Sequence, residues 1–177
     1  PPGPAPRPRT AAEQPARGAA AAGEVVGVPL NRIKAGLEAY SPQAGRMGIR
    51  RLGRGIDLLD DSYNANPNSL AVAVGVLCSL PGEHWLALGD MAELGEDAAA
   101  LHKQAAAEAR KAGVARWFAL GELSCRAAAE FGASGLCFSS HDEMARSIEQ
   151  QINRNVVLLI KGSRSAGMEK LVTLLSQ

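Results

Sequence analysis

Three short stretches of this chain crowd together side chains able to do chemistry. The first, DDSYNANPNS from Asp60 to Ser69, carries eight polar side chains in ten residues directly after the run Ile56–Leu59. The second is GDMAELGE, from Gly89 to Glu96, and the third is KGSRSAG, from Lys161 to Gly167. Their charges differ in sign. Asp60, Asp61, Asp90 and Glu93 make the first two acidic, while Lys161 and Arg164 make the third basic. Carboxylates accept from the hydroxyls of a ribose diol, or hold a metal-bound water. Lys and Arg hold a carboxylate or a phosphate, Arg through a planar fork. The combination suits an enzyme that joins an anionic substrate to a second component with nucleotide help. The plainer reading of each loop alone is helix capping, since Asp and Asn after a strand commonly start the next helix.

Other chemistry is poorly supported. His84, His102 and His141 lie far apart, without metal-ligand spacing. Neither a Cys-His nor a Ser-His pair suggests a nucleophile. The pattern G-x-x-x-x-G-K-[ST] occurs nowhere, so the chain lacks a phosphate-cradling loop of that kind. The three cysteines, Cys78, Cys125 and Cys137, are odd in number and share no close spacing, which fits a reducing compartment and no metal cluster. A formal charge of +1 argues against a general nucleic-acid binder. No apolar run approaches the ~20 residues of a membrane span.

The elements that must position these loops follow from periodicity. The 177 residues suggest one domain with a disordered end. Residues 1–22, which hold six of the ten prolines, read as disordered or linker-like because burial there would not offset the ordering entropy. This start lacks the apolar centre of a secretory signal, and its prolines count against a transit peptide. Leu30, Ile33 and Leu37 stand at helical spacing, predicting a helix over Leu30–Tyr40. MGIRRLGRGIDLLD reads as a hairpin around Gly53-Arg54-Gly55. Strands and helices then alternate. Strands are predicted over His84–Leu88, Arg116–Leu120, Gly135–Phe138 and Val156–Ile160. Helices are predicted over Pro67–Cys78, Asp97–Ala112, Glu122–Phe131, His141–Ile152 and Met168–Leu175. That order implies a Rossmann-like α/β fold, a mostly parallel sheet with helices on both faces. Ligands of such sheets bind beyond the carboxyl ends of the strands, where the three polar stretches fall. The ends of Arg116–Leu120 and Gly135–Phe138, followed by GE and SSHD, look like ordinary caps.

DDSYNANP at Asp60–Pro67, LGDMAELGE at Leu88–Glu96 with His102 following, and KGSRSAGME at Lys161–Glu169 resemble three signatures of the Mur ligases. AGRM at Ala44–Met47 resembles the Gly-Arg that opens their carboxy-terminal domain. The likeness runs from about residue 24 to the end and is nearest to the members that add D-alanyl-D-alanine. It implies ATP-dependent amide formation, with magnesium, on a UDP-N-acetylmuramoyl tripeptide in the bacterial cytoplasm. The peptide carboxylate is phosphorylated, and the acyl phosphate then accepts the amine of D-alanyl-D-alanine. By the same resemblance, residues 46–177 form the carboxy-terminal domain and 23–45 a remnant helix and linker of the central domain. The metal and P-loop sites would lie in domains this chain does not contain. The isolated chain is therefore expected to fold without ligating.

The resemblance also assigns roles. Arg46, at the hinge, would reach ATP phosphate on closure, and Arg46 with Lys161 would serve catalysis. Asp61 would meet the ribose hydroxyls, with Tyr63, Asn64 and Asn66 lining the nucleotide side. Asp90 and Glu93 would face the amine substrate or order their loop. Lys161, Ser163 and Arg164 would bind the dipeptide carboxylate. Asp60 and His102 are expected to be structural, and no metal ligand is assigned. Two alternatives stand beside this reading: another ATP-dependent amide ligase, such as folylpolyglutamate synthetase, and a stand-alone binding module without catalysis.

Overall fold

The computed structural model describes residues 28–29, 31–32, 34–35, 44–52, 56–152 and 155–177. The chain divides into two compact units, Pro1–Pro42 and Gln43–Gln177. In the first unit the described residues include helical positions at 31–32 and 34–35. The remainder of the helix predicted over Leu30–Tyr40, the proline-rich start and the hairpin tip Gly53-Arg54-Gly55 lie outside the described residues.

The second unit is a six-stranded sheet with helices on both faces. In chain order it runs β1 (Gly48–Leu52), β2 (Ile56–Asp61), α1 (Pro67–Ser79), β3 (Glu83–Gly89), α2 (Ala98–Ala112) and β4 (Arg116–Leu120). Then come α3 (Glu122–Phe131), β5 (Gly135–Phe138), α4 (His141–Gln151), β6 (Val156–Lys161) and α5 (Glu169–Leu175). The strand order is β1-β2-β6-β3-β4-β5. Among the described residues only β1 is antiparallel, paired with β2; the other pairings are parallel. This is the α/β class that the alternation of elements implied.

Strand side chains alternate between two cores, as a period of two demands. Leu59, Leu86, Leu88, Trp117, Ala119, Val157 and Leu159 face one core, together with residues of α1, α2 and α3. Leu58, Trp85, Ala87, Phe118, Leu158 and Ile160 face the other, with Met144, Ile148, Leu171 and Val172 of α4 and α5. The central strand β6 is buried along its whole length, which explains its unbroken apolar run Val156–Ile160.

Several boundaries moved, and one move matters. The first polar stretch was expected to follow its strand, but β2 extends through Asp61. The cause is β6, whose Ile160 and Lys161 pair in register with Asp60 and Asp61. Both carboxylates therefore sit on rigid strand backbone. The helices expected to start at Asp97 and Met168 start instead at Ala98 and Glu169. Single 3₁₀ turns at Gly95–Asp97 and Arg164–Ala166 absorb the turn before each.

The cysteines also need correcting. Cys125 on α3 and Cys137 on β5 form a disulfide. Their separation of 12 residues hid the pairing, but α3 packs directly on the strand that follows it. Cys78 stays free and half-buried, and burial pushes its thiol up from the ordinary value.

Candidate functional site

The sheet order places the three polar stretches side by side. The carboxyl ends of β2, β6 and β3 are neighbours, so Asp61, Lys161 and Gly89 close one continuous edge. The connections from β2 to β3, β3 to β4 and β4 to β5 all step one way across the sheet, and the return from β5 through α4 reverses direction and sets β6 between β2 and β3. A crevice at such a reversal is where open α/β sheets hold ligands. The ends of β4 and β5, with their ordinary caps, lie farther along the sheet.

At the end of β2 the two aspartates do different work. Asp60 is buried and accepts from the Gly45 amide at 3.2 Å, the Ser62 amide at 3.3 Å and the Ser62 hydroxyl at 2.6 Å. It fastens the chain entering the domain to the sheet, in agreement with the structural role expected of it. Gly45 sits there at φ +77, and a Cβ would lie 3.0 Å from the Tyr63 nitrogen, so glycine alone fits without strain. Asp61 instead accepts from the Lys161 ammonium, which also donates to the Asn64 carbonyl at 2.8 Å. The Lys161 side chain is only 2% exposed. Burying an ammonium is costly unless it is paired and hydrogen-bonded, and here it is both. A direct grip on a dipeptide carboxylate, the expectation for Lys161, does not suit a cation so placed. The geometry makes it the strut under Asp61.

Asn66 begins α1 with a reciprocal capping box. Its side chain accepts from the Ser69 amide at 2.8 Å, and its own amide donates to the Ser69 hydroxyl at 3.1 Å. Pro67 follows at a position where no amide donor is needed. Asn64 accepts from the Ala65 amide at 2.9 Å.

In the second stretch, Asp90 also turns inward. Its carboxylate accepts from the amides of Leu123 at 3.3 Å and Ser124 at 2.7 Å, capping α3 from a different strand. Gly121 opens that helix at φ +102, and a Cβ there would meet the Asp90 carboxylate at 2.4 Å. Of the two roles the resemblance left open for Asp90, ordering the loop is the one this geometry fits. Glu93 differs: it is exposed and held at φ +62, a conformation uncommon for a residue other than glycine. His102, fully buried, accepts from the Met91 amide through Nε2 at 2.9 Å and donates through Nδ1 to the Ala98 carbonyl at 2.7 Å. The Met91 amide requires a lone pair on Nε2, which fixes the proton on Nδ1. His102 thus pins the loop that carries Glu93.

The third stretch is tied to the second. The Ser163 amide donates to the Asp90 carbonyl at 3.0 Å, and the buried Ser163 hydroxyl pairs with that of Ser165 at 3.0 Å. His141 Nε2 lies 3.0 Å from the Ala166 carbonyl, which anchors the following turn. Arg164 projects outward, 71% exposed, with its guanidinium 4.0 Å from Glu169 and 5.8 Å from the centroid of the Tyr63 ring. Arg46 lies 4.3 Å from the same centroid and has no carboxylate partner among the described residues.

Cavities open along this edge. One of about 200 Å³ is lined by Arg46, Asp61, Tyr63, Asn64, Asn66 and Lys161. Another of about 570 Å³ is lined by Tyr63, Asn64, Asn66, Glu93, Ser163 and Arg164. All the predicted site residues except Asp90 border one or both. Glu169 and Arg50, which sequence reasoning did not single out, border a third cavity of about 500 Å³ beside Arg164. Spacing alone gave no signal for either. Among the described residues no group of three or more His, Cys, Asp or Glu is placed to hold a metal ion.

Comparison with known proteins agrees with this geometry. Residues 45–164 match the family described as "Mur ligase, glutamate ligase domain". The UDP-N-acetylmuramoyl-tripeptide–D-alanyl-D-alanine ligase of Escherichia coli is 39% identical over 164 residues, covering 90% of this chain and 35% of that protein. The chain thus spans about a third of the length of that curated relative. A crystal structure of MurF from Acinetobacter baumannii superimposes with a TM-score of 0.78 at 29% identity, over 93% of this chain and 37% of that one. A bifunctional folylpolyglutamate synthase/dihydrofolate synthase from Yersinia pestis shares the fold, with a TM-score of 0.61 at 19% identity over 83% of this chain and 35% of that one. With the family match spanning most of the sheet and its three polar strand ends, the chain belongs to the Mur ligase family.

Proposed function

We propose that this chain supplies the carboxy-terminal domain, residues 46–177, of an ATP-dependent ligase that joins D-alanyl-D-alanine to a UDP-N-acetylmuramoyl tripeptide, with 23–45 as the link from a preceding domain. One juxtaposition carries the reading. A cavity holding an arginine with no carboxylate partner among the described residues, and a strand-borne carboxylate, adjoins a second cavity holding Glu93, Ser163 and Arg164. They lie along one sheet edge of a chain 39% identical to a ligase of that name.

Each group then has a task suited to its chemistry. Asp61, held by Lys161, keeps one carboxylate oxygen for the ribose diol. Arg46, with no carboxylate among the described residues to neutralise it, meets phosphate charge as the domain closes. Magnesium would be held, as the resemblance implies, mainly outside this domain, and the group this domain offers to phosphate charge is Arg46. Arg164 takes the carboxylate of D-alanyl-D-alanine in a planar fork, and Glu93 stands across the same cavity for the amine. Holding amine and activated carboxyl in register turns a bimolecular encounter into an intramolecular one. The bacterial cytoplasm goes with this reading. The Yersinia pestis relative in fold motivates one alternative, a ligase that adds glutamate.

The test is a joined ligase, in which this domain follows the part of the Escherichia coli relative that the chain does not span. Arg164→Ala should raise the KM for D-alanyl-D-alanine about tenfold or more, the size expected for a lost charged hydrogen bond, and leave that for ATP nearly unchanged. Equal shifts in both constants would remove Arg164 from the dipeptide site.

A further inference from the structure

Tyr63 is the one residue shared by all three cavities of the sheet edge. Its ring is 45% exposed, and its hydroxyl makes no hydrogen bond among the described residues. The contacts that Tyr63 makes with charged groups are through its ring. That ring lies beside two guanidiniums, Arg46 at 4.3 Å and Arg164 at 5.8 Å from the centroid. The two arginines come from opposite ends of the domain's sequence, one before β1 and one after β6. Like charges brought to one place repel, and a group that attracts both offsets part of that cost. The face of an aromatic ring, with its negative quadrupole, does so.

The backbone fixes the arrangement. The Tyr63 amide donates to the Gly45 carbonyl at 3.0 Å, immediately before Arg46. The Gly45 amide is held by the buried Asp60. Ring and hinge arginine are therefore positioned by the same few bonds at the end of β2. Among the described residues Arg164 has Glu169 alone as a charged partner, at 4.0 Å, with the arginine largely exposed and the glutamate half-exposed. An exposed contact of that length is a weak tether.

We propose that Tyr63 is a positioning residue that holds Arg46 and Arg164 ready for two different anions and forms the wall between their cavities. Resting on the ligase reading above, this assigns Arg46 to the nucleotide phosphate and Arg164 to the carboxylate of the incoming dipeptide. Both would be presented by one ring. The phenol oxygen is not required, and the aromatic face is.

Two measurements test it. In the chain as it stands, NMR of the arginine side chains should show upfield ring-current displacement of the Arg46 and Arg164 methylene signals. Tyr63→Phe should keep that displacement and Tyr63→Leu should abolish it, with the melting temperature unmoved because the ring is exposed. Arginine signals that stay the same in Tyr63→Leu would overturn the proposal. In the joined ligase, Tyr63→Leu should raise the KM for ATP and for D-alanyl-D-alanine together, each by about two- to fivefold, the range of an exposed cation–π contact. Tyr63→Phe should recover most of that loss. Arg164→Ala should also cost less in the Tyr63→Leu background than in the parent, because coupled residues are not additive. Additive losses, or a phenylalanine variant as poor as the leucine one, would overturn the proposal. A parent joined ligase without turnover would overturn the ligase reading instead, and the NMR result would still decide the role of the ring.

Discussion

The residue whose position departs most from expectation is Lys161. Sequence placed it at the sheet's carboxyl edge, which is correct, and the resemblance aimed it at a carboxylate of the substrate. It meets a carboxylate of its own chain, Asp61, and is buried. Nothing local could have revealed this, because the partners are 100 residues apart and meet only through the register of β2 on β6. The pairing has a measurable consequence. Lys161→Met strands the part-buried Asp61 carboxylate and should lower stability by about 1–3 kcal/mol, the cost of a charged acceptor left without its partner. The double variant Lys161→Met/Asp61→Asn should recover much of it, since an uncharged pair leaves no charge to desolvate. Urea unfolding of both variants makes the comparison. A single variant as stable as the parent would show that the pair is not buried in solution.

At the scale of elements, the alternation of strands and helices was readable because each has one clear period. The sequence reading of β4, α3 and β5 matches the observed ranges, helped by glycines at 121 and 132 that bracket the helix. What could not be read was how elements hold one another. Asp90 was expected to face the amine substrate or to order its own loop, and it caps α3, more than 30 residues ahead in sequence. Capping residues normally precede their own helix, and here that place is taken by Gly121, which has no side chain to offer. The disulfide between α3 and β5 escaped for the same reason: it depends on packing and not on spacing. Asp90→Ala should therefore cost about 0.5–2 kcal/mol, the loss of a cap. It should lower the melting temperature while leaving the KM for D-alanyl-D-alanine within about twofold of the parent. A raised KM at unchanged stability would return Asp90 to the substrate site.

For the whole molecule, the fold class and the gathering of charged, glycine-rich stretches at the carboxyl ends of the strands were both legible, because such stretches follow β2, β3 and β6 and not β4 or β5. The spatial order β2-β6-β3 was not legible, since it comes from a crossover that periodicity does not record. That order converts three separated motifs into one site with adjoining cavities. The central claim is that this site selects D-alanyl-D-alanine as the amino component. It is tested most directly by phosphate release from the joined ligase, supplied with ATP and the UDP-linked tripeptide and titrated with D-alanyl-D-alanine or with glutamate. Saturable release with the dipeptide and none above background with glutamate is the predicted result. Glutamate-dependent release with no response to the dipeptide would contradict it and favour the glutamate-adding alternative.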